Sequence, residues 1–357
     1  MKPRRWLSRA ELADTVASIE AVQLKGGMIP WFEGGHCDPW NHVEAAMALS
    51  AGGRIAAAEQ AYQWLRSTQR ADGSWHNYYN SDGSVEDGRR DSNVCAYVAT
   101  GTWHHHLATS DLAFVKEMWP TVENAMGFAL SLQRESGELV WSLDEEGIPE
   151  RYALLTGSSS TYFSLRCAIA CAELVGAERP EWELAAGRLR HAIHSRPELF
   201  APKERWAMDW YYPVLVGALP PATAAERLDE GWPKFVMEGL GVRCVADQPW
   251  VTTAETAECA LACLALGRAD QASRLLDWAA DQRDLGGTYT TGRVYPGRAT
   301  FPDEERTTYS AAAIVLADDM LASESAASQL FSGRGLPAGL DLDELDEVGA
   351  WPLGPSA

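Results

Sequence analysis

The chain has 357 residues, 46% of them apolar, and a formal charge of −20 at pH 7. This is a globular composition, long enough for one large barrel or two ordinary domains. The acidity argues against nucleic acid and anionic membrane, which both need a basic footprint, and no apolar run approaches bilayer length.

The basic start, Met1 to Ser8, has no apolar core behind it, so no signal peptide is read and a cytoplasmic location is expected. Glu11–Leu24 reads as a weakly amphipathic helix, and 38–50 as one whose alanines at 45, 46 and 48 leave no polar face. The alternation then repeats. Arg54–Gln69 sets Ala57, Ala58, Ala61, Trp64 and Leu65 on one stripe and turns Glu59, Gln60, Gln63 and Arg66 away, the period of a helix with one wet face. The segment 91–107 is again small and apolar, Asp111–Leu132 is amphipathic with Pro120 expected to restart it, and 158–175 is small. Trp182–His194 and 209–219, Ala222–Val236 and 252–266, and Asp270–Arg283 and 306–320 complete six pairs.

A helix apolar on every face must be buried on all sides, so the small-residue helices form an inner ring and the amphipathic ones an outer layer. Inner segments start about 43 to 67 residues apart, the length of a helical hairpin with its loops, which marks an internal repeat. The predicted fold is all-α, an (α/α)6 barrel or α/α toroid of six hairpins, forming one domain over residues 1–322. Strand patterning is confined to short loop hairpins near Ser74–Asn80 and Gly287–Tyr295. From 323 to 357 the sequence turns to Gly, Ser and acidic residues, the composition of a poorly ordered tail. Seven cysteines include no C-x-x-C pair; Cys167 with Cys171, and Cys259 with Cys263, sit one helical turn apart among alanines and leucines, the setting of buried free thiols.

If the inner helices run parallel, the loops entering them gather at one end, where a pocket would form. The first supplies Trp31, His36, Asp38, His42 and Glu44; Asp38 before Pro39 is a helix N-cap as readily as a functional carboxylate. The second supplies Asp91 and Asn93, with Trp103 further on; the third, a run of hydroxyls from Thr156 to Thr161; the fourth, Asp209 among Trp210, Tyr211 and Tyr212. The fifth brings Trp250, Glu255 and Glu258, and the sixth Asp303, Glu304, Glu305 and Tyr309. Rings stack on pyranose faces while carboxyls accept hydroxyls and move protons, so this mixture points to sugar chemistry. Hydrolysis takes two carboxyls roughly 5–5.5 Å apart for retention or 6.5–9.5 Å for inversion. Glu255 and Glu305 are the leading catalytic candidates, followed by Asp38 and Asp209. Glu255 stands at the threshold of the most apolar helix, where desolvation would raise its pKa and suit an acid role. Trp31, His36, His42, Glu44, Asp91, Asn93, Trp103, Trp210, Tyr211, Tyr212, Trp250, Glu258 and Tyr309 are the candidate substrate contacts. No cofactor or metal is expected: consecutive His104, His105 and His106 point in different directions, and no H-E-x-x-H or paired-Cys spacing occurs.

The loops after the outer helices carry a repeated phrase. Gln69-Arg-Ala-Asp-Gly73-Ser-Trp75 fits Q-x-x-x-G-x-W; Gln133-Arg-Glu-Ser-Gly137 and Gln282-Arg-Asp-Leu-Gly286 begin the same way. This resembles the repeat of triterpene cyclases and protein prenyltransferases, and equally the D-G-S-W loops of glucoamylase-like six-hairpin glycosidases. Residues 9–321 as a whole look like a group of short actinobacterial toroid proteins labelled prenyltransferase. The repeated motif fixes architecture rather than chemistry. The glycosidase resemblance implies a base near Glu305 and an acid near Asp144-Glu145-Glu146. A class II cyclase would need D-x-D-D where Thr252-Thr-Ala-Glu255 stands, and diphosphate ionisation would need D-D-x-x-D where Asp318-Asp319-Met-Leu-Ala322 stands. The expectation is therefore a glycosidase with a carboxylate pair at the barrel mouth, acting on a small-molecule or oligosaccharide substrate, with no nucleic-acid partner and no membrane insertion. An isoprenoid-handling toroid and a non-catalytic saccharide binder are the alternatives.

Overall fold

A computed structural model describes residues 5–337 together with Leu340 and Leu342. In chain order the helices are α1 (Arg9–Val22), α2 (Pro39–Ala51), α3 (Ile55–Thr68), α4 (Ser92–Ala96), α5 (Val98–Thr109), α6 (Leu112–Leu130), α7 (Leu155–Val175), α8 (Pro180–Ser195), α9 (Ala207–Leu215), α10 (Pro221–Phe235), α11 (Thr253–Ala265), α12 (Ala269–Ala279) and α13 (Thr308–Ala322). Asp38 caps α2 ahead of Pro39, and Asp91 caps α4, which runs on into α5 past Tyr97.

The small-residue helices close a ring: α2 packs on α5, α5 on α7, α7 on α9, α9 on α11, α11 on α13, and α13 back on α2. Outside it, α3 covers α2, α6 covers α5 and α7, α8 covers α7, α10 covers α9, α12 covers α11, and α1 covers α13. The predicted (α/α)6 toroid is the observed fold. Its inner helices, rich in alanine and other small residues, pack side by side, and the outer stripe of α3 (Ala57, Ala58, Ala61, Trp64, Leu65) is buried as its period required.

The glutamine turns explain why the repeated phrase marks architecture. Gln69 Nε2 donates to Gly73 O at 3.0 Å and to Thr121 O of α6 at 2.9 Å. Gln133 does the same to Gly137 O and Ala185 O of α8, both at 2.9 Å. Each side chain thus closes its own turn and staples the next outer helix. Gln23 forms a further copy with Gly27 O and Ala57 O, in a Q-x-x-x-G phrase that was not among those recognised in the sequence. The glycines sit at φ +96 (Gly27), +86 (Gly73) and +105 (Gly137), where an added Cβ would lie 2.1, 2.2 and 2.5 Å from a carbonyl of the neighbouring outer helix.

Three expectations are corrected. Pro120 does not restart its helix, and α6 runs unbroken through it. The rim carries more strand than patterning suggested: Val236–Met237, Gly241–Arg243, Trp250–Thr252, Gly292–Val294 and Ala299–Phe301 form a five-stranded antiparallel sheet. Strands of two or three residues are too short to display a period of two. Order also continues past 322. Ala327–Ser332 forms a 3₁₀ helix packed against α5, α11 and α13, with Leu330 and Phe331 buried and Phe331 stacked on Phe163 at 5.4 Å. The described part of the expected tail is therefore a packed cap over the inner helices, held also by Arg166 Nε donating to Pro337 O at 3.0 Å. The acidic stretch from 343 onward lies outside the described residues.

Candidate active site

Six loops converge at the N-terminal ends of the inner helices and enclose a cavity of about 580 Å³, within the usual range for a small-molecule site. Asp38, Glu44, Asp91, Asp209, Glu255 and Glu258 line it, with Trp31, Trp40, Tyr78, Trp141, Trp206, Trp250, Phe301 and Tyr309 as its aromatic walls. Lys203 is the single cation among the lining residues.

Each carboxylate is placed by its helix start. Asp38 Oδ1 accepts the Asn41 N–H at 3.0 Å, and Oδ2 accepts Trp31 Nε1 at 2.6 Å and Asn41 Nδ2 at 2.7 Å. Burial raises its pKa, and these donors oppose the rise. Asp91 repeats the arrangement: Oδ1 accepts the Asn93 and Val94 N–H groups, Oδ2 the Trp141 indole, and burial still lifts it to about 6. Both capping aspartates thus face the cavity, so the structural and functional readings of Asp38 coexist in one side chain. Asp209 and Glu255 lie inside the first turns of α9 and α11 and do not cap. Asp209 Oδ1 takes the Thr156 hydroxyl at 2.5 Å. Glu255 is raised by burial, opposed only by the Thr252 hydroxyl and its own amide. One helical turn deeper, Glu44 accepts the Tyr97 hydroxyl at 3.2 Å and Glu258 accepts that of Tyr211. Burial raises both carboxyls, and the charge of Glu44 raises Glu258 further.

The cavity therefore gathers Asp38, Asp209, Glu255, Trp31, Glu44, Asp91, Asn93, Trp250, Glu258 and Tyr309 from the predicted set. The others lie elsewhere. Glu305 does not line the cavity; its loop continues past the last strand of the sheet before α13 begins, and its carboxyl is partly buried, with its charge reaching the Tyr309 hydroxyl. The turn at Asp144-Glu145-Glu146 is likewise peripheral: Asp144 Oδ1 accepts the Ile148 N–H, and Glu145 reaches the backbone of Gly88. His36 pairs with Glu86 at 3.1 Å and props Trp31 edge-on at 4.4 Å. His42 is a buried cross-link, Nδ1 accepting the Ile29 N–H at 3.0 Å and Nε2 meeting Ala61 O at 2.9 Å. Burial pulls its pKa to about 4, so it stays neutral. Trp103 is buried ten residues beyond Asn93, about 15 Å further along its helix by the α-helical rise. Trp210 stacks on Phe235 at 5.1 Å in the hydrophobic layer between α9 and α10. Tyr211 and Tyr212 lie fully buried beneath the floor. Asp318 and Asp319, the nearest approach to a diphosphate motif, are in the last turns of α13, tied to Arg5 at 2.7 and 3.0 Å.

Asn77, Tyr78, Trp141 and Lys203 also line the cavity and were passed over in the sequence, while Trp40, Asn41, Thr156, Trp206 and Phe301 stand in the entry loops but were not among the candidate contacts. For Trp141 a signal existed: a lone tryptophan in the polar loop ahead of an inner helix has no outer-helix stripe to join. Trp206 is 45% exposed, with Lys203 and Arg205 beside its ring at 6.0 and 5.7 Å, the state of a rim platform rather than a core residue. Among the described residues no helix is long and apolar enough to cross a membrane.

No family model matches the chain. It is 47% identical over 335 residues to the MMP endo-(1,4)-3-O-methyl-alpha-D-mannosidase of Mycolicibacterium hassiacum, covering 94% of this chain and 92% of that one. Solved structures share the fold at low identity. A glycosidase solved in complex with glucose matches with a TM-score of 0.70 at 16% identity, covering 88% of this chain and 97% of that one. The GH63 mannosylglycerate hydrolase of Thermus thermophilus, solved with Tris and D-glycerate, matches at 0.67 and 13%, covering 85% and 99%. A D-mannose isomerase matches at 0.67 and 11%, covering 88% and 98%, so the fold alone does not choose the reaction.

Proposed function

This chain belongs to the family of the Mycolicibacterium hassiacum endo-mannosidase and is a glycosidase, and we propose that it cleaves α-(1→4) bonds between 3-O-methylated mannose units, with Glu255 as proton donor and Asp38 as its partner carboxylate. The observation carrying the assignment is the contrast in hydrogen bonding between these two cavity-lining groups. The charges of Glu255, Glu305 and Asp38, in that order, act on the Tyr309 hydroxyl, whose ring packs against Trp31 at 5.0 Å. Glu255, desolvated and poor in donors, keeps its proton to higher pH and can give it to the leaving glycosidic oxygen. Asp38, held by Trp31 and Asn41, supplies the negative charge that an oxocarbenium-like transition state needs.

The walls suit a methylated sugar. Val94, Leu154, Met208 and Ala254 line the cavity between the aromatic rings; a methyl ether has lost its hydroxyl donor and gains from apolar contact. Neither a diphosphate motif nor a cluster of Arg and Lys faces this space, since Lys203 stands alone there, and that disfavours the isoprenoid reading. We also place the protein in the cytosol, because all seven cysteines are free, and expect no nucleic-acid partner at a charge of −20.

The test is hydrolysis of defined α-(1→4) mannose oligosaccharides with and without 3-O-methyl groups, followed by mass spectrometry and by proton NMR of the new anomeric centre. Internal cleavage with a higher kcat/KM on the methylated series is expected. Intact oligosaccharide of both kinds after prolonged incubation would overturn the substrate assignment.

A further inference from the structure

The proposed mechanism uses the carboxyls at the mouth and leaves two others unexplained. Glu44 and Glu258 stand one helical turn deeper, are 5% and 6% exposed, and still line the cavity. Buried acids of this kind ordinarily meet a cation. Here the partners are tyrosines: Tyr97 donates to Glu44 at 3.2 Å and Tyr211 donates to Glu258. Both carboxyls act on the hydroxyls of Tyr97 and Tyr212, and the charge of Glu44 acts on Glu258 itself. Other groups facing the pair are Asp38 and Trp40 from α2 and its cap, Ser160 from α7 beside Tyr212, and Glu255 above Glu258. The cavity's only lysine, Lys203, comes from the loop before α9 and stands beside Asp209.

An independent feature points into the same space. Asn93 is 4% exposed and lines the cavity, and its Oδ1 has no hydrogen-bond partner. A buried amide oxygen left bare costs the full price of its desolvation, which a bound hydroxyl would offset. The Ala327–Ser332 segment packs across α5, α11 and α13 on the far side from the mouth and buries Leu330 and Phe331.

We propose that Glu44 and Glu258 share a single proton and form, with Asn93, a subsite in this cavity that recognises vicinal hydroxyls of a neutral, unmethylated pyranose ring. Two carboxyls in one desolvated site cannot both ionise readily. The protonated member donates one hydrogen bond while its ionised neighbour accepts, and each sugar hydroxyl both donates and accepts, so the pair and a diol are complementary. Asn93 Oδ1 takes a further hydroxyl. A second negative charge on the pair removes the donor and leaves only acceptors, so binding weakens as pH rises. The inference rests on reading the cavity as the sugar site, and it divides that site into an apolar upper wall for methylated units and a polar floor for an unmethylated one.

Calorimetric titration of methyl α-D-mannoside into the full-length Glu255→Gln protein between pH 5.5 and 9 tests it. This background removes the neighbouring acid from the titration, and its residual activity on oligosaccharide reports separately on the catalytic assignment. The expected result is an affinity that falls at least tenfold from pH 6 to pH 9. Adding Glu258→Gln, or in a second variant Glu44→Gln, should weaken binding severalfold and abolish its pH dependence; Asn93→Ala should weaken binding and leave the pH dependence in place. A pH-independent affinity in the background, or an undiminished pH dependence in both glutamine variants, overturns the shared proton. Tighter binding of methyl 3-O-methyl-α-D-mannoside than of the free mannoside overturns the hydroxyl-reading floor. If the Glu255→Gln protein hydrolyses oligosaccharide normally, the mechanism proposed above fails while the titration still reads the floor.

Discussion

The two halves of the rim hold their acids in opposite ways. Ahead of α2 and α4, Asp38 and Asp91 are helix caps that also take an indole N–H, from Trp31 and Trp141. Ahead of α9 and α11 the caps are Trp206 and Thr252, with no side-chain cap bond, and Asp209 and Glu255 fall inside the first turn. A cap brings backbone donors to a carboxylate and favours its charge. A position three residues further on keeps the helix-end field but loses the cap donors, while burial raises the carboxyls at both kinds of position. We propose that this difference in donors lets Asp38 serve as the carboxylate and Glu255 as the acid that glycoside cleavage needs.

The largest expected effect separates these halves directly. Glu255→Gln should lower kcat on oligosaccharide by roughly 10²- to 10⁴-fold, the usual worth of a positioned proton donor, and much less on an aryl mannoside whose leaving group needs no proton. Asp38→Asn should cost a similar factor, whereas Asp91→Asn should cost under tenfold. Asparagine caps a helix about as well as aspartate, so both Asn variants should fold, and melting curves would verify that. Equal losses at Asp38 and Asp91 would erase the distinction between a catalytic cap and a structural one.

The same division decides what the sequence could reveal. The toroid was legible because burial of whole helices leaves a mark on every residue of a turn: the alanines of α2 and α13, and the stripes of α3 and α12, needed no partner to be recognised. Asp38 and Glu255 were legible for a related reason, since helix starts in the inner ring must face the mouth. Glu305 was not distinguishable from them, because its loop is shaped by the short rim sheet, and pairing of Gly292–Val294 with Ala299–Phe301 is a tertiary event with no local pattern. His42 and Trp210 failed differently. Both are polar or aromatic residues next to the mouth whose hydrogen bonds run outward to Ala61 O and Arg227 O, and helical phase alone, one residue either way, moves a side chain from cavity to core. Trp141 and Lys203 enter from loops, where sequence spacing carries no direction.

A stability experiment extends the comparison from acids to the turns beneath them. Gly73 in the first half has φ +86, and a Cβ there would lie 2.2 Å from Asn124 O; Gly286 in the second half has φ +85 with nothing within 4 Å. Gly73→Ala should therefore lose about 3–4 kcal/mol, from left-handed strain plus a backbone clash, and Gly286→Ala only about 1–2 kcal/mol from the strain alone. Urea denaturation reads both. Equal losses would mean that the turn on the first half is not held against its neighbouring helix.

The smallest effect concerns the charge state of a cap. Asp91 titrates at about 6 in the folded protein, lifted chiefly by burial against the pull of Val94, Asn93 and Trp141, while an unfolded Asp titrates near ~3.9. Between those values the native state binds the extra proton, so unfolding becomes easier as pH rises. The stabilisation is fully present below ~4 and gone above ~6, a change of about 3 kcal/mol for a buried group. Asp91→Asn cannot titrate and should flatten this stretch of the stability curve measured in urea at pH 4, 5, 6 and 7. Glu255, also raised by burial, has the same sign, and its share should survive in the Asp91→Asn protein. If the slope between pH 4 and 6 persists unchanged in that variant, the cap is already ionised in the native state and the contrast between the halves lies in geometry alone.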